Sequence, residues 1–187
     1  SLFGMHTAII DPAAETPSSD DDELTWAVRD AANFQVYACR DRVFDTKDSS
    51  VVKFVLTGSN INSVLESPVI ELTTSLFYDT YEDQRWNFAV KVKPNKYPNV
   101  GKLSGSEDTG YKVEFVGYNV VGDSIQNSFY LTSSMTENQG IEFLSSKKRL
   151  YVGAHRQNFT GSLLTSTDVK VSSCRYWALP LENEEIL

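Results

Sequence analysis

Sulfur and imidazole are scarce in this chain. Two cysteines, Cys39 and Cys174, and two histidines, His6 and His155, stand among 187 residues. Two cysteines cannot build the disulfide framework of a small secreted scaffold. They read as two small buried thiols, with one long-range bridge as the alternative. Neither Cys-x-x-Cys nor His-x-x-x-His occurs, so a zinc site has no support. There is no Gly-x-Ser-x-Gly elbow and no phosphate loop, which removes two common routes to catalysis. No apolar run approaches the roughly 18 residues that span a bilayer, so membrane insertion is not expected. No basic segment followed by an apolar one opens the chain, and no secretory signal is expected. Basic charge is also in deficit. Seventeen Lys and Arg against 25 Asp and Glu give a formal net charge of −8 and a pI near 4.8. A nucleic-acid partner needs a basic surface and is excluded on that ground; docking on anionic lipid is disfavoured.

Long helical periodicity is missing too, and alternation with period two takes its place. In Trp86-Asn87-Phe88-Ala89-Val90-Lys91-Val92-Lys93, the residues Trp86, Phe88, Val90 and Val92 share one face. Asn87, Lys91 and Lys93 share the other, as in a half-buried strand. Pro94 ends it. Tyr111 to Phe115 repeats the pattern. The stretches 33–40, 51–57, 69–77, 128–133, 149–154 and 169–177 are rich in Val, Phe, Tyr and Thr and read as further strands. The opening residues SLFGMHTAII also suit a strand. Turn signals separate these segments, among them Gly58-Ser59-Asn60, Pro98-Asn99-Val100-Gly101 and Gly122-Asp123. Only 137–146 and 182–187 have room for a turn or two of helix. Many short strands without a long helix predict an all-β fold, a two-sheet antiparallel β-sandwich, and one domain over 1–187. The chain reads as a domain of a longer protein.

Asp11 to Glu23, DPAAETPSSDDDE, differs in composition from the rest. It reads as a solvated acidic Pro/Ser-rich loop. The alternative is a calcium loop built on Asp20, Asp21 and Asp22, because hard cations take clustered carboxylates. The three are contiguous and lack the spaced ligands and glycine of an EF-hand. Ca2+ is thus the one cofactor the sequence raises.

The C-terminal third runs Arg149-Leu150-Tyr151-Val152-Gly153-Ala154, then Asn158-Phe159-Thr160-Gly161-Ser162-Leu163-Leu164. Val169 to Trp177 follows, with Ala178-Leu179-Pro180-Leu181-Glu182-Asn183-Glu184-Glu185-Ile186 as a cap. This order resembles the closing signature of laminin-G-like, concanavalin A-like lectin domains. Glu82 to Val90 resembles the same family's strand carrying a conserved-type Trp, with Asn87 and Phe88 where histidines are common. The resemblance implies a concanavalin A-like jelly roll, with Val169, Val171 and Ser173 alternating into the core and Ile186 folding back as a cap. RLYVGAH with NFTGSLL and CRYW is further similar to lectin-like modules in large virion structural proteins of tailed bacteriophages.

Sandwich-type glycoside hydrolases place two carboxylates across a sugar bond, often as Glu-x-Asp-x-x-Glu on one strand. That motif is absent. Asp79, Glu82 and Asp83 form the nearest cluster and read as a solvated turn, so no enzyme activity is expected. Asn158-Phe159-Thr160 is formally a glycosylation acceptor; the resemblance gives its Phe a structural role instead. Loops at a sandwich edge carry binding residues, which selects Asp79, Asp83, His155, Arg156 and Asn158 as ligand-facing candidates. Tyrosines near turns, Tyr78 and Tyr130 among them, suit stacking on sugar rings or anchoring an interface. The expected role is a non-enzymatic structural and binding module of a virion, a capsid decoration or tail-associated protein. Its partners would be other virion subunits or neighbouring domains, and surface glycans. The alternative is a carbohydrate-binding lectin domain of an extracellular, cell-surface or secreted protein.

Overall fold

The computed structural model describes residues 1–7, 34–40, 51–58, 70–80, 84–96, 110–145, 148–156, 163–166 and 169–187. Within these the chain is all-β, built from two antiparallel sheets of five and three strands with a two-stranded ribbon. That is the make-up of a β-sandwich. The strands are β1 (Phe3–Thr7), β2 (Phe34–Arg40), β3 (Val52–Thr57), β4 (Glu71–Thr73), β5 (Arg85–Pro94), β6 (Tyr111–Val121), β7 (Ser124–Met135), β8 (Lys148–Val152), β9 (Ala154–Arg156) and β10 (Leu163–Ser166). One α-helix, α1 (Glu137–Ser145), and one 3-10 turn, Asn183–Ile186, complete the described elements. The five-stranded sheet runs β4-β3-β2-β1-β8, the three-stranded sheet β5-β6-β7, and β10 pairs β9. No described helix is long and apolar enough to cross a membrane. The chain divides into two compact units, one of residues 1–38, 55–71 and 141–174, the other of 39–54, 72–140 and 175–187.

In the first unit β1 lies between β2 and β8, antiparallel to both. The run Phe34-Gln35-Val36-Tyr37 in β2 is buried at every position, as a strand covered on both faces requires. Phe34 stacks on Phe143 of α1 at 6.0 Å and meets Phe3 edge-on at 6.3 Å. Gly4 sits between Gln35 and Tyr151 in the sheet register. A Cβ on Gly4 would fall 2.5 Å from the Tyr151 hydroxyl, so the tyrosine ring occupies the space that a side chain would need.

In the second unit β5 pairs with β6 over its full length, and β6 turns into β7 through Gly122-Asp123. Gly122 has φ 61 and Asp123 does not, the pattern of a two-residue hairpin with glycine first. One face of this sheet carries Trp86, Phe88, Phe115 and Phe129. Phe54 from β3 meets Trp86 and Phe88 at 4.8 Å and Phe129 at 5.8 Å. Phe54 is 2% exposed, and burying it contributes roughly 2–3 kcal/mol. Phe54→Ala would cost about 3–5 kcal/mol once the cavity it leaves is included.

Two sequence expectations need correction. Residues 169–177 form no strand, and all are exposed. The Val-Lys-Val alternation is compatible with a strand, but among the described residues no neighbour supplies the ladder bonds that hold one. Val169, Val171 and Ser173 therefore do not enter the core. Lys91 was expected on a solvated face and is 7% exposed, because a C-terminal turn packs over it. The 3-10 turn lies against β5, where Lys91 Nζ donates to Asn183 Oδ1 at 2.5 Å. Glu184 and Glu185 are exposed and Ile186 is half-buried.

Candidate ligand-binding hollow

A hollow of about 620 Å³ opens in the second unit, lined by Leu76, Phe77, Tyr78, Asp79, Gln84, Val121, Gln126 and Asn127. Its volume lies within the usual range for small-molecule sites. Each wall has a structural cause. Phe77 is fixed to Val52 by a reciprocal backbone pair, N to O at 2.9 and 2.8 Å. Thr74 helps to hold the approach, its Oγ1 accepting from Phe54 N at 2.9 Å. The chain then reverses. Asp79 takes φ 57, a left-handed conformation that Asp tolerates better than most residues. Thr80 Oγ1 closes the turn by donating to Phe77 O at 3.3 Å. The turn lifts Tyr78 outward, 62% exposed. Gln84 immediately precedes β5. Val121, Gln126 and Asn127 come from the two arms of the β6–β7 hairpin next to its tip.

The chemistry of the lining is three amides, one carboxylate and one exposed phenol on an apolar base. Gln84 Oε1 is buried and accepts no hydrogen bond. Close by in the sheet, Trp86 Nε1 is buried and donates none. Trp86, Asn119 and Asn127 stand in one cross-strand row. Asn119, fully buried, donates from Nδ2 to Arg85 O at 3.1 Å and accepts from Asn127 Nδ2 at 3.5 Å. Buried polar atoms are normally paired, and an orphan costs about 1–3 kcal/mol. Gln84 borders the hollow while its Oε1 is closed to water, so a ligand donor reaches that oxygen only when the Gln84 side chain rotates.

Of the sequence-selected candidates, Asp79 lines this hollow and is exposed. His155 and Arg156 lie on β9, paired with β10, and the placement of their side chains is not described. Asp83, Asn158 and the acidic trio Asp20, Asp21 and Asp22 lie outside the described residues. Among the described residues no three His, Cys, Asp or Glu side chains converge as a metal would require. Cys39 is half-buried and Cys174 exposed, and both are free thiols. The expectation of two buried thiols fails at both: Cys39 is only half-buried, and Cys174 sits in the exposed 169–177 segment.

Sequence reasoning missed a second polar cluster, on the opposite face of β5–β6–β7. Glu114, 1% exposed, meets three lysines. Lys91 Nζ lies 3.0 Å from its Oε2, while Lys93 and Lys112 lie 2.8 and 3.4 Å from its Oε1. Tyr130 donates its hydroxyl to the same Oε1 at 2.6 Å and accepts from Lys112 at 3.3 Å. Burial by itself would raise the Glu114 pKa. The hydrogen bonds from Lys93, Tyr130 and Lys91, with the Lys91 charge, outweigh it and hold the carboxyl at about 2. No sequence signal marks it, because the cross-strand register makes the cluster: Lys91 pairs with Glu114, and Lys93 with Lys112.

No protein family, characterised protein or solved structure matches the chain.

Proposed function

We propose that this chain is a non-enzymatic, lectin-like binding module, and that the hollow beside Tyr78 takes a neutral, hydroxyl-rich ligand, a surface glycan. The observation that carries this reading is Gln84, which lines the hollow and whose buried Oε1 has no hydrogen-bond partner among the described residues. Once the Gln84 side chain turns toward the hollow, a sugar hydroxyl donates to its Oε1 and can accept from an amide N–H of Gln126 or Asn127. The exposed Tyr78 ring supplies a face for the apolar side of a pyranose. A single carboxylate, Asp79, in a chain of net charge −8 favours neutral over acidic sugars at this point. The resemblance of the C-terminal third to phage lectin-like modules supports reading the domain as a virion decoration or tail-associated part. A cell-surface or secreted lectin would use the same chemistry.

A second reading is assembly, and a separate observation favours it. Tyr176, Trp177 and Leu179 are 76%, 54% and 71% exposed in one short segment. Aromatic anchors of this kind are common at subunit interfaces. A glycan-array screen of the chain, run with calcium and again with chelator, separates the readings. Binding of neutral glycans in both runs supports the hollow as the site. Binding that disappears with chelator moves recognition to a metal-assisted site such as the Asp20–Asp22 loop. Silence in both runs favours assembly.

A further inference from the structure

We infer that the outer face of β5–β6–β7 holds a second binding site, for the oxyanion group of a phosphate or sulfate ester, built on Lys93 and Lys112. This goes beyond the glycan reading and stands without it, since the two sites lie on opposite faces of one sheet. The starting point is a local charge excess. Among the described residues three ammonium groups share one carboxylate, a local excess of two positive charges in a chain whose formal net charge is −8.

The three lysines are not equivalent. Lys91 is 6% exposed at its side chain, takes the Oε2 oxygen of Glu114 to itself and is capped by Asn183. Lys93 and Lys112 are each 37% exposed and share the other oxygen, Oε1, with the Tyr130 hydroxyl. Both ammonium groups are thus held beside one atom, with N–H donors left over and open to water. Glu114 brings one negative charge to three ammonium groups, and like charges held this close gain from a further counter-charge. An oxyanion with several acceptor oxygens can bridge both.

The surroundings suit such a ligand. Ser134 stands opposite Lys112 and Thr132 opposite Glu114 in the β6–β7 register. Opposite residues share a face, so both exposed hydroxyls lie beside the lysines. The acidic C-terminal turn does not close the site. It meets the face at Lys91 through Asn183, and Glu184 acts on Tyr118, several residues along β6 from Lys112. Among the described contacts, Glu182, Glu184 and Glu185 form no ion pair with Lys93 or Lys112. The row Lys93–Lys112–Ser134 remains open beyond the turn.

The test is calorimetric titration of the chain with inorganic phosphate, a phosphorylated monosaccharide and a sulfated disaccharide, each at an ionic strength fixed with chloride. Saturable binding of any one of them is expected, and which one binds identifies the source of the oxyanion. Lys93→Gln and Lys112→Gln should each weaken it on the order of tenfold, the size of one charge-assisted hydrogen bond. Lys170→Gln, at an exposed lysine elsewhere, should leave it unchanged. Both informative substitutions are at partly exposed side chains, so the fold survives them; circular dichroism checks this. Absence of saturable binding for all three ligands would overturn the site. So would binding that Lys170→Gln weakens as much as Lys112→Gln, because that is general screening.

Discussion

Lys91 and Glu114 face each other across β5 and β6, Nζ to Oε2 at 3.0 Å, and both side chains are almost closed to water. A buried ion pair is held together by its own geometry, and removing one partner strands the other. The outcome depends on what remains. Glu114→Gln leaves Lys91 buried with Asn183 alone and should cost about 3–5 kcal/mol. Lys91→Met leaves Glu114 with Lys93, Lys112 and Tyr130, and should cost less. Lys93→Ala touches a partly exposed charge and should cost under about 1 kcal/mol. Urea unfolding of the three variants should give that order.

The same carboxylate sets an acid limit. Its folded pKa, about 2, lies below the ordinary 4.5. The unfolded state therefore binds the proton first as pH falls. The stabilisation is fully present above about 4.5 and is lost between there and about 2. A shift of this size corresponds to an energy on the order of 3 kcal/mol. Stability measured by urea across this window should fall steeply in the native chain and less steeply in Glu114→Gln.

Gly117 is needed for a different reason. It pairs with Phe129 across β6 and β7, and a Cβ there would lie 2.2 Å from the Phe129 ring. The ring belongs to the cluster around Phe54, so it has little room to retreat. Gly117→Ala should destabilise by about 1–3 kcal/mol through overpacking. Near-ultraviolet circular dichroism should lose intensity. Gly122→Ala has open space around it and should cost only the strain of its positive φ, about 1 kcal/mol, with the aromatic signal intact.

The two thiols should separate kinetically. Cys174 is exposed. Burial pushes the Cys39 thiol up, partly opposed by the positive charge of Lys53. The thiolate is the reactive form. A colorimetric thiol reagent at neutral pH should therefore show two phases, with Cys174→Ser removing the fast one.

The strands were legible where alternation and turn chemistry agreed. Trp86 to Pro94 reads as a strand and is one, and Gly122-Asp123 reads as a turn and joins β6 to β7. Alternation at Val169 and Val171 misled, because it reports what a segment can pair with and not whether a partner arrives. The length of β6 and β7 was underread. Gly117 and Asn119 look like breaks in a strand, yet one makes room for Phe129 and the other supplies buried amide bonds. Asp79 was visible as a loop carboxylate. Gln84, Gln126 and Asn127 were not, since amides beside turns are common and only the hairpin brings them to one hollow. Lys91 and Glu114 looked like two solvated charges because their partnership exists only in the register.

The most direct measurement is titration of a neutral array-selected glycan against the native chain, Gln84→Ala and Tyr78→Ala, with thermal unfolding in parallel. The account predicts that each substitution weakens binding by roughly three- to tenfold, the loss of one hydrogen bond or one stacking face, while the melting temperature holds or rises. Glycan binding that is unchanged in both variants would contradict it.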